Sequence, residues 1–217
     1  SKYNLAVSAF NESLGSSFSE LYRYDSYLRI ADCYFVLKNY SSAIENYRRA
    51  IKLNNRPIYP YFQIALSFGL LEKPLEKITQ LKAIIKSFPG STVIDDCYFE
   101  LATTFANSEN YEKALNNYDY IIENFPKSIF APKAILNKAL ILYNEGDLIN
   151  SENLLREYVK KFPTEITVAQ ALVTLKEIAV EKNSVEEFSM WIKSNGLSSI
   201  SELEIEKATI DAIDLLV

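Results

Sequence analysis

Few side chains in this sequence have types and spacings that could carry out chemistry. Two adjacent carboxylates, Asp95-Asp96, are the nearest approach to a general acid–base pair. Adjacent residues on a helix point to different sides, and the helix dipole favours acids in a first turn. The pair therefore reads as a helix start. Lys160-Lys161 could meet a phosphate, but the same dipole favours cations in a last turn, so it reads as a solvated helix end. Cys33 and Cys97 are the only two cysteines, too few for a disulfide framework or a cysteine metal site. They read as small buried apolar side chains with free thiols. The chain has no His, so the usual general base and the commonest zinc ligand are missing. No glycine-rich phosphate loop, HExxH, CxxC or Gly-x-Ser-x-Gly elbow is present. The expectation is a protein that is not an enzyme, with no catalytic residue, cofactor or metal.

The elements that would position any site are helices. Of 217 residues, 48% are hydrophobic and 24% charged, the balance of a folded chain with a sizeable core. Only five Gly and seven Pro leave too few turns for a sandwich or barrel. A net charge of −5 argues against nucleic acid, whose binding draws on a basic surface. No apolar run approaches the ~18 residues of a membrane span, and no secretory leader is evident.

Internal repetition is the dominant signal. Phe88-Pro89, Phe125-Pro126 and Phe162-Pro163 recur at a step of 37. Before each lies a helical stripe with apolar residues three and four apart. One runs Tyr111, Ala114, Tyr118, Ile121 and Ile122; another runs Leu148, Ser151, Leu155, Tyr158 and Val159. Tyr40, Ala43, Tyr47, Ala50 and Ile51 make an earlier copy, and Leu75, Ile78, Leu81, Ile84 and Ile85 a weaker one. A second set of helices precedes these. Ala31, Ala65, Ala102 and Ala139 fall at steps of 34, 37 and 37, each followed three residues later by Tyr34, Phe68, Phe105 or Leu142. A small residue there lets two helix backbones approach closely. Lys38-Asn39, Glu72-Lys73-Pro74, Ser108-Glu109-Asn110 and Glu145-Gly146-Asp147 are the turns within each pair. Each Phe-Pro ends a helix, because Pro disfavours α geometry in the residue before it. Ser91 and Ser128 stand where an N-cap would open the next helix.

These residues resemble the tetratricopeptide repeat, a helix–turn–helix unit of ~34 residues with aromatic, small and Pro positions at set offsets. Tyr27, Ile30, Ala31, Tyr34, Ala43, Tyr47 and Ala50 match that pattern, as do Tyr98, Leu101, Ala102, Phe105, Ala114, Tyr118 and Pro126. Lys77 and Ser151 replace the usual Ala, and Lys138 departs too. The resemblance implies an all-α fold: an α-solenoid of antiparallel helix pairs in a right-handed superhelix. Residues 1–20 would be the second helix of a truncated repeat and 21–197 an array of four clear units plus a degenerate one. Residues 198–217 would start a further helix, opened by a Ser201/Glu204 capping box. The whole reads as a segment of a longer array.

In the resembled family the first helices line a concave face that holds peptides or helices of partner proteins. The corresponding positions here are Leu28, Asp32, Phe62, Leu66, Phe99, Thr103, Leu136 and Leu140. They lack the cationic donors of the carboxylate-clamp subclass, so that activity does not carry over. The implied function is a scaffold or adaptor binding an amphipathic helix or extended chain, with little dependence on salt. The alternative is a regulatory or accessory segment of a larger enzyme or of a secretion or assembly machine. Neighbouring repeats of the same chain are further partners. Units ending Phe-Pro-x-Ser also resemble Gram-negative envelope repeat proteins, such as the periplasmic coordinator of the Tol–Pal system and the lipoprotein of the outer-membrane assembly machine. That likeness implies a periplasmic or outer-membrane-associated location, with the cytoplasm left open.

Overall fold

A computed structural model describes residues 2–16, 19–53 and 57–197. Among them are eleven helices and no strand. The expected helix at 202–217 lies outside the described residues. Contacts divide the chain into two units, Ser1–Thr104 and Phe105–Val217.

The first unit holds α1 (Lys2–Ser16), α2 (Glu20–Val36), α3 (Tyr40–Leu53), α4 (Tyr59–Leu70), α5 (Pro74–Ser87) and most of α6 (Ile94–Asn107). Each of α1 to α5 packs on the helix that follows or precedes it in sequence. The second holds α7 (Tyr111–Asn124), α8 (Ala131–Asn144), α9 (Leu148–Lys161), α10 (Val168–Glu181) and α11 (Val185–Ser194), again packed in sequence order, with α8 also touching α10. This nearest-neighbour packing is what a stack of helix pairs produces.

Period fixes the core. Ala31, Ala65, Ala102 and Ala139 are each 0% exposed, as expected for points of close helix approach. The second helices bury Tyr47, Leu81, Tyr118 and Leu155, and one turn later Ala50, Ile84, Ile121 and Tyr158. The buried tyrosines keep their hydroxyls paired, as a buried phenol must. Tyr47 donates to Asp32 Oδ1 at 2.8 Å, Tyr118 accepts from Asn137 Nδ2 at 3.1 Å, and Tyr158 shares a 2.5 Å bond with Thr167 Oγ1.

The turn inside each pair is built five times in one way. The residue past the helix end is left-handed: Lys38, Glu72, Glu109, Gly146 and Asn183, with φ between 52° and 83°. The amide of the next residue, Asn39, Lys73, Asn110, Asp147 or Ser184, donates to the carbonyl five residues back at 2.8–2.9 Å. That bond satisfies helix-end carbonyls that would otherwise lack partners. The same residue then starts the second helix. Asn39, Asn110 and Asp147 also cap it, their side-chain oxygens accepting from Ser42, Lys113 and Asn150 amides.

The connectors between pairs repeat just as closely. Phe88, Phe125 and Phe162 cap their helices with φ near −130° and ψ of 51–53°, outside the α region as the following Pro requires. Ser91 and Ser128 do not act as the expected N-caps. Their hydroxyls accept from the amides two residues on, Val93 at 3.5 Å and Phe130 at 3.0 Å. The helices start three residues after the serines, at Ile94 and Ala131. The reason is local competition: a Ser hydroxyl can close a turn onto the nearby backbone as readily as it caps a helix.

Residues that depart from the repeat pattern are individually compensated. Ser151, at an Ala position, is fully buried and donates to the Ala139 carbonyl at 2.8 Å. Lys77, also at an Ala position, runs past Gly69 to pair with Glu100 at 2.5 Å. Lys138 stands where other first helices carry Ile or Leu, and pairs with Asp119. Ala at the first two positions would demand no partner; the polar substitutes do.

Candidate functional site

The eight positions expected to line a binding face come from first helices and are described unit by unit. In the first unit, α2 carries Asp25, Leu28, Asp32 and Val36 at spacings of three, four and four, which is one helix face. On α4 the same register holds Tyr59, Phe62, Leu66 and Leu70; on α6 it holds Asp96, Phe99 and Thr103. Leu28, Phe62, Leu66, Phe99 and Thr103 are half-buried. Leu28 packs against the cluster of Ala31, Tyr47 and Ile64, which holds it to that core while leaving an accessible edge. Val36 and Leu70, one turn beyond the expected positions, are more open still, at 53% and 52% exposed. They were not singled out from the sequence, although each lies four residues past an expected lining residue.

Asp32 does not stand free on this face. Its Oδ1 accepts from Tyr47 at 2.8 Å and from Tyr59 at 2.9 Å. One carboxylate therefore ties the first helix of a pair to its own second helix and to the first helix of the next pair. Burial pushes the Tyr47 hydroxyl far above its ordinary pKa, and the bond to Asp32 adds to the effect. Tyr59 is pushed up to about 12 for the same two reasons, burial first. Both phenols stay neutral donors at any physiological pH. Thr103 Oγ1 donates to the carbonyls of Phe99 and Glu100, each at 3.1 Å, so its hydroxyl is committed to its own helix.

In the second unit the two expected positions separate. Leu140 is half-buried, whereas Leu136 is 2% exposed inside the core formed by α8, α9 and α10. The same register on α10 holds Glu177, with Glu181 a turn later. Tyr143 donates to Glu181 Oε1 at 2.9 Å. Burial, with Glu181 nearby, raises the Glu177 carboxyl above the ordinary range. An open cavity of about 500 Å³ lies elsewhere in this unit, between α7, α8 and α9, with Lys138, Asp119, Leu142 and Leu154 among its lining residues.

The chemistry-bearing candidates occupy the places expected of them. Asp95 and Asp96 lie in the first turn of α6, and Lys160 and Lys161 in the last turn of α9. Burial, reinforced by Asp95 and Glu100, holds the Asp96 carboxyl up at about 6. Cys33 and Cys97 are free thiols, Cys97 fully buried and Cys33 half-buried. Among the described residues no group of His, Cys, Asp and Glu could hold a metal ion, and no helix is long and apolar enough to cross a membrane.

Residues 24–56, spanning α2 and α3, and residues 96–128, spanning α6 and α7, match family models of the tetratricopeptide repeat. Those two segments are tetratricopeptide repeats by these matches. Solved structures agree on the fold. The apo form of RapI superposes with a TM-score of 0.74 at 15% identity, over 92% of this chain and 60% of RapI. A MamA fragment from Desulfovibrio magneticus RS-1 gives 0.65 at 13% identity, over 86% of this chain and 96% of the fragment. Yeast Tom70 gives 0.59 at 19% identity, over 98% of this chain and 46% of Tom70. At such identities the likeness is one of fold: an all-α, tetratricopeptide-type helical solenoid. No curated protein matches the sequence. Tetratricopeptide repeats are protein-interaction modules, and stacked repeats of this kind present extended binding surfaces.

Proposed function

We propose that this chain is a non-enzymatic interaction scaffold that holds a peptide or helix of a partner protein on its first-helix face. The observation that carries the reading is the apolar stripe of the first unit. Phe62, Leu66 and Leu70 on α4, with Leu28 and Val36 on α2 and Phe99 on α6, share one register and keep accessible surface. Accessible apolar side chains repeated in one register fit an interaction surface, and aromatic and large aliphatic anchors dominate such interfaces at ~2 kcal/mol or more each. Leu140 is the corresponding residue of the second unit; Leu136, being buried, supports the core and is not in the proposed lining.

The test uses peptides selected from a random display library on the immobilised protein. Replacing Phe62 and Phe99 together by Ser should abolish their binding. Circular dichroism and melting temperature of the double variant must show a retained fold, because either ring also contacts its own unit. A folded double variant that holds the selected peptides at full affinity would sink the reading. An envelope location is the finer part of the proposal. It is supported by the Phe-Pro-Lys-Ser connector at 125–128, and cell fractionation of the producing organism tests it.

A further inference from the structure

We infer that the segment held by the first unit is basic as well as apolar: a stretch of a partner protein with Lys or Arg along one edge and large apolar side chains along the other. This rests on the first-helix face being the binding face, as proposed above.

The argument is the distribution of charge along that face. The rows of equivalent residues differ from one end of the helices to the other. Toward the N-terminal ends stand Asp25 on α2 and Asp96 on α6. Three turns further on stand Val36 and Leu70, both more than half exposed. Eleven residues separate Asp25 from Val36, which at 1.5 Å per residue is about 16 Å. A segment crossing the helices thus meets two carboxylates, with Tyr59 between them, on one flank and hydrocarbon on the other. Helices α4 and α6 contain no basic residue at all. On α2, Arg29 sits 3.4 Å from Asp25 with both side chains more than half exposed, a solvated pair that a partner cation can displace at little cost. Asp96 is different. It lies half-buried beside Asp95 and Glu100, and Lys77 of the preceding helix is committed to Glu100.

Like charges gathered beside apolar surface steer and select partners of opposite sign. An acidic segment would meet repulsion at Asp25 and at Asp96; a neutral one would leave Asp96 partly desolvated. The carboxylate row also adds a salt dependence that the apolar positions alone would not show.

The experiment is the same library selection, read now for composition. The expected result is enrichment of peptides carrying Lys or Arg together with Leu, Ile or Phe. Their binding should weaken about tenfold in an Asp25→Asn, Asp96→Asn double variant, as the loss of two partly exposed ion pairs predicts. It should also weaken as salt is raised. Enrichment of neutral or acidic peptides that the Phe62→Ser, Phe99→Ser variant no longer binds would overturn the basic-partner inference and leave the scaffold reading standing. No enrichment, or enrichment that survives in the folded Phe62/Phe99 variant, would overturn both.

Discussion

Gly69 and Lys77 are matched to one another: a Cβ added to Gly69 would come within 3.1 Å of Lys77 Cδ and 3.3 Å of its Nζ. The repeat places Ala at the Lys77 position in two other units, Ala43 and Ala114, both fully buried. A lysine fits here because the facing helix gives up a side chain, and because Glu100 on α6 receives the charge at 2.5 Å. Glycine inside a helix costs about 1 kcal/mol relative to Ala. Gly69→Ala should therefore recover that gain fully only when Lys77 is also Ala. Thermal unfolding of the two single variants and the double variant measures the coupling. Equal gains from Gly69→Ala in both backgrounds would show that Lys77 moves aside freely.

Much of this architecture is legible in the offsets. The four alanines and three Phe-Pro pairs follow from period alone, because close helix approach and the pre-proline restriction each admit few residue types. What escapes the sequence has a physical reason in each case. Lys38, Glu72 and Glu109 occupy left-handed turn positions with no residue-type signature for that conformation; only Gly146 and Asn183 carry one. Ser91 and Ser128 close turns instead of capping, since one hydroxyl serves either geometry. The Asp32 bonds to Tyr47 and Tyr59 span 15 and 27 residues and depend on how pairs stack. At the candidate face, helical register places Phe62, Leu66 and Phe99 in one line, but the burial of Leu136 depends on packing from α9 and α10 that no single-helix pattern contains.

The left-handed turns give a graded prediction. An L-residue there bears a steric cost of roughly 1–2 kcal/mol that glycine escapes, partly offset by glycine's greater freedom in the unfolded chain. Glu109→Gly should stabilise by about 0.5–1 kcal/mol, and Gly146→Ala should destabilise by a comparable or larger amount. Space is not the issue at Gly146, where an added Cβ would meet nothing within 4 Å. If melting temperatures shift in the opposite directions, the five turns do not share one conformation in solution.

Overpacking provides a second stability test. Ala102 has no exposed surface, so Ala102→Leu must displace a neighbouring helix and should cost about 1–3 kcal/mol. Circular dichroism during urea titration reads it. A variant as stable as the parent would mean that α6 does not pack closely at that point.

The cysteines should differ in reactivity. Burial, followed by the charges of Asp96, Asp95 and Glu100, pushes the Cys97 thiol up to about 12, while Cys33 is raised less and is only half-buried. The thiolate is the reactive form. In the native protein a thiol reagent at mildly alkaline pH should modify Cys33 first and Cys97 only on unfolding. In denaturant, without reductant, both should titrate. Recovery of neither, in a monomeric protein, would refute the free-thiol assignment and the repeat register with it.

Asp96 makes stability depend on pH in a direction that can be worked out. Its carboxyl is raised from 3.8 to about 6 in the folded chain, by burial first and then by Asp95 and Glu100. The unfolded chain ionises at the ordinary value. Between the two, the unfolded state releases its proton while the folded state keeps it, so the contribution of Asp96 is fully present below the lower value and lost as pH rises through about 6. Above that, the folded chain holds a carboxylate among like charges. Asp96→Asn removes the penalty and should raise the melting temperature at about pH 8. The gain is on the order of 1 kcal/mol once solvent screening of a partly exposed group is allowed for. Near pH 3.5, where the parent carries a neutral acid of nearly the same shape, the two proteins should melt within about 1 °C of each other, the size of a residual shift of a few tenths of a kcal/mol in a domain of this length. A lower melting temperature for Asp96→Asn at the alkaline end would show that the carboxylate is stabilised by a donor or cation within the fold. The flank of the proposed binding face would then already be neutralised before any partner arrives.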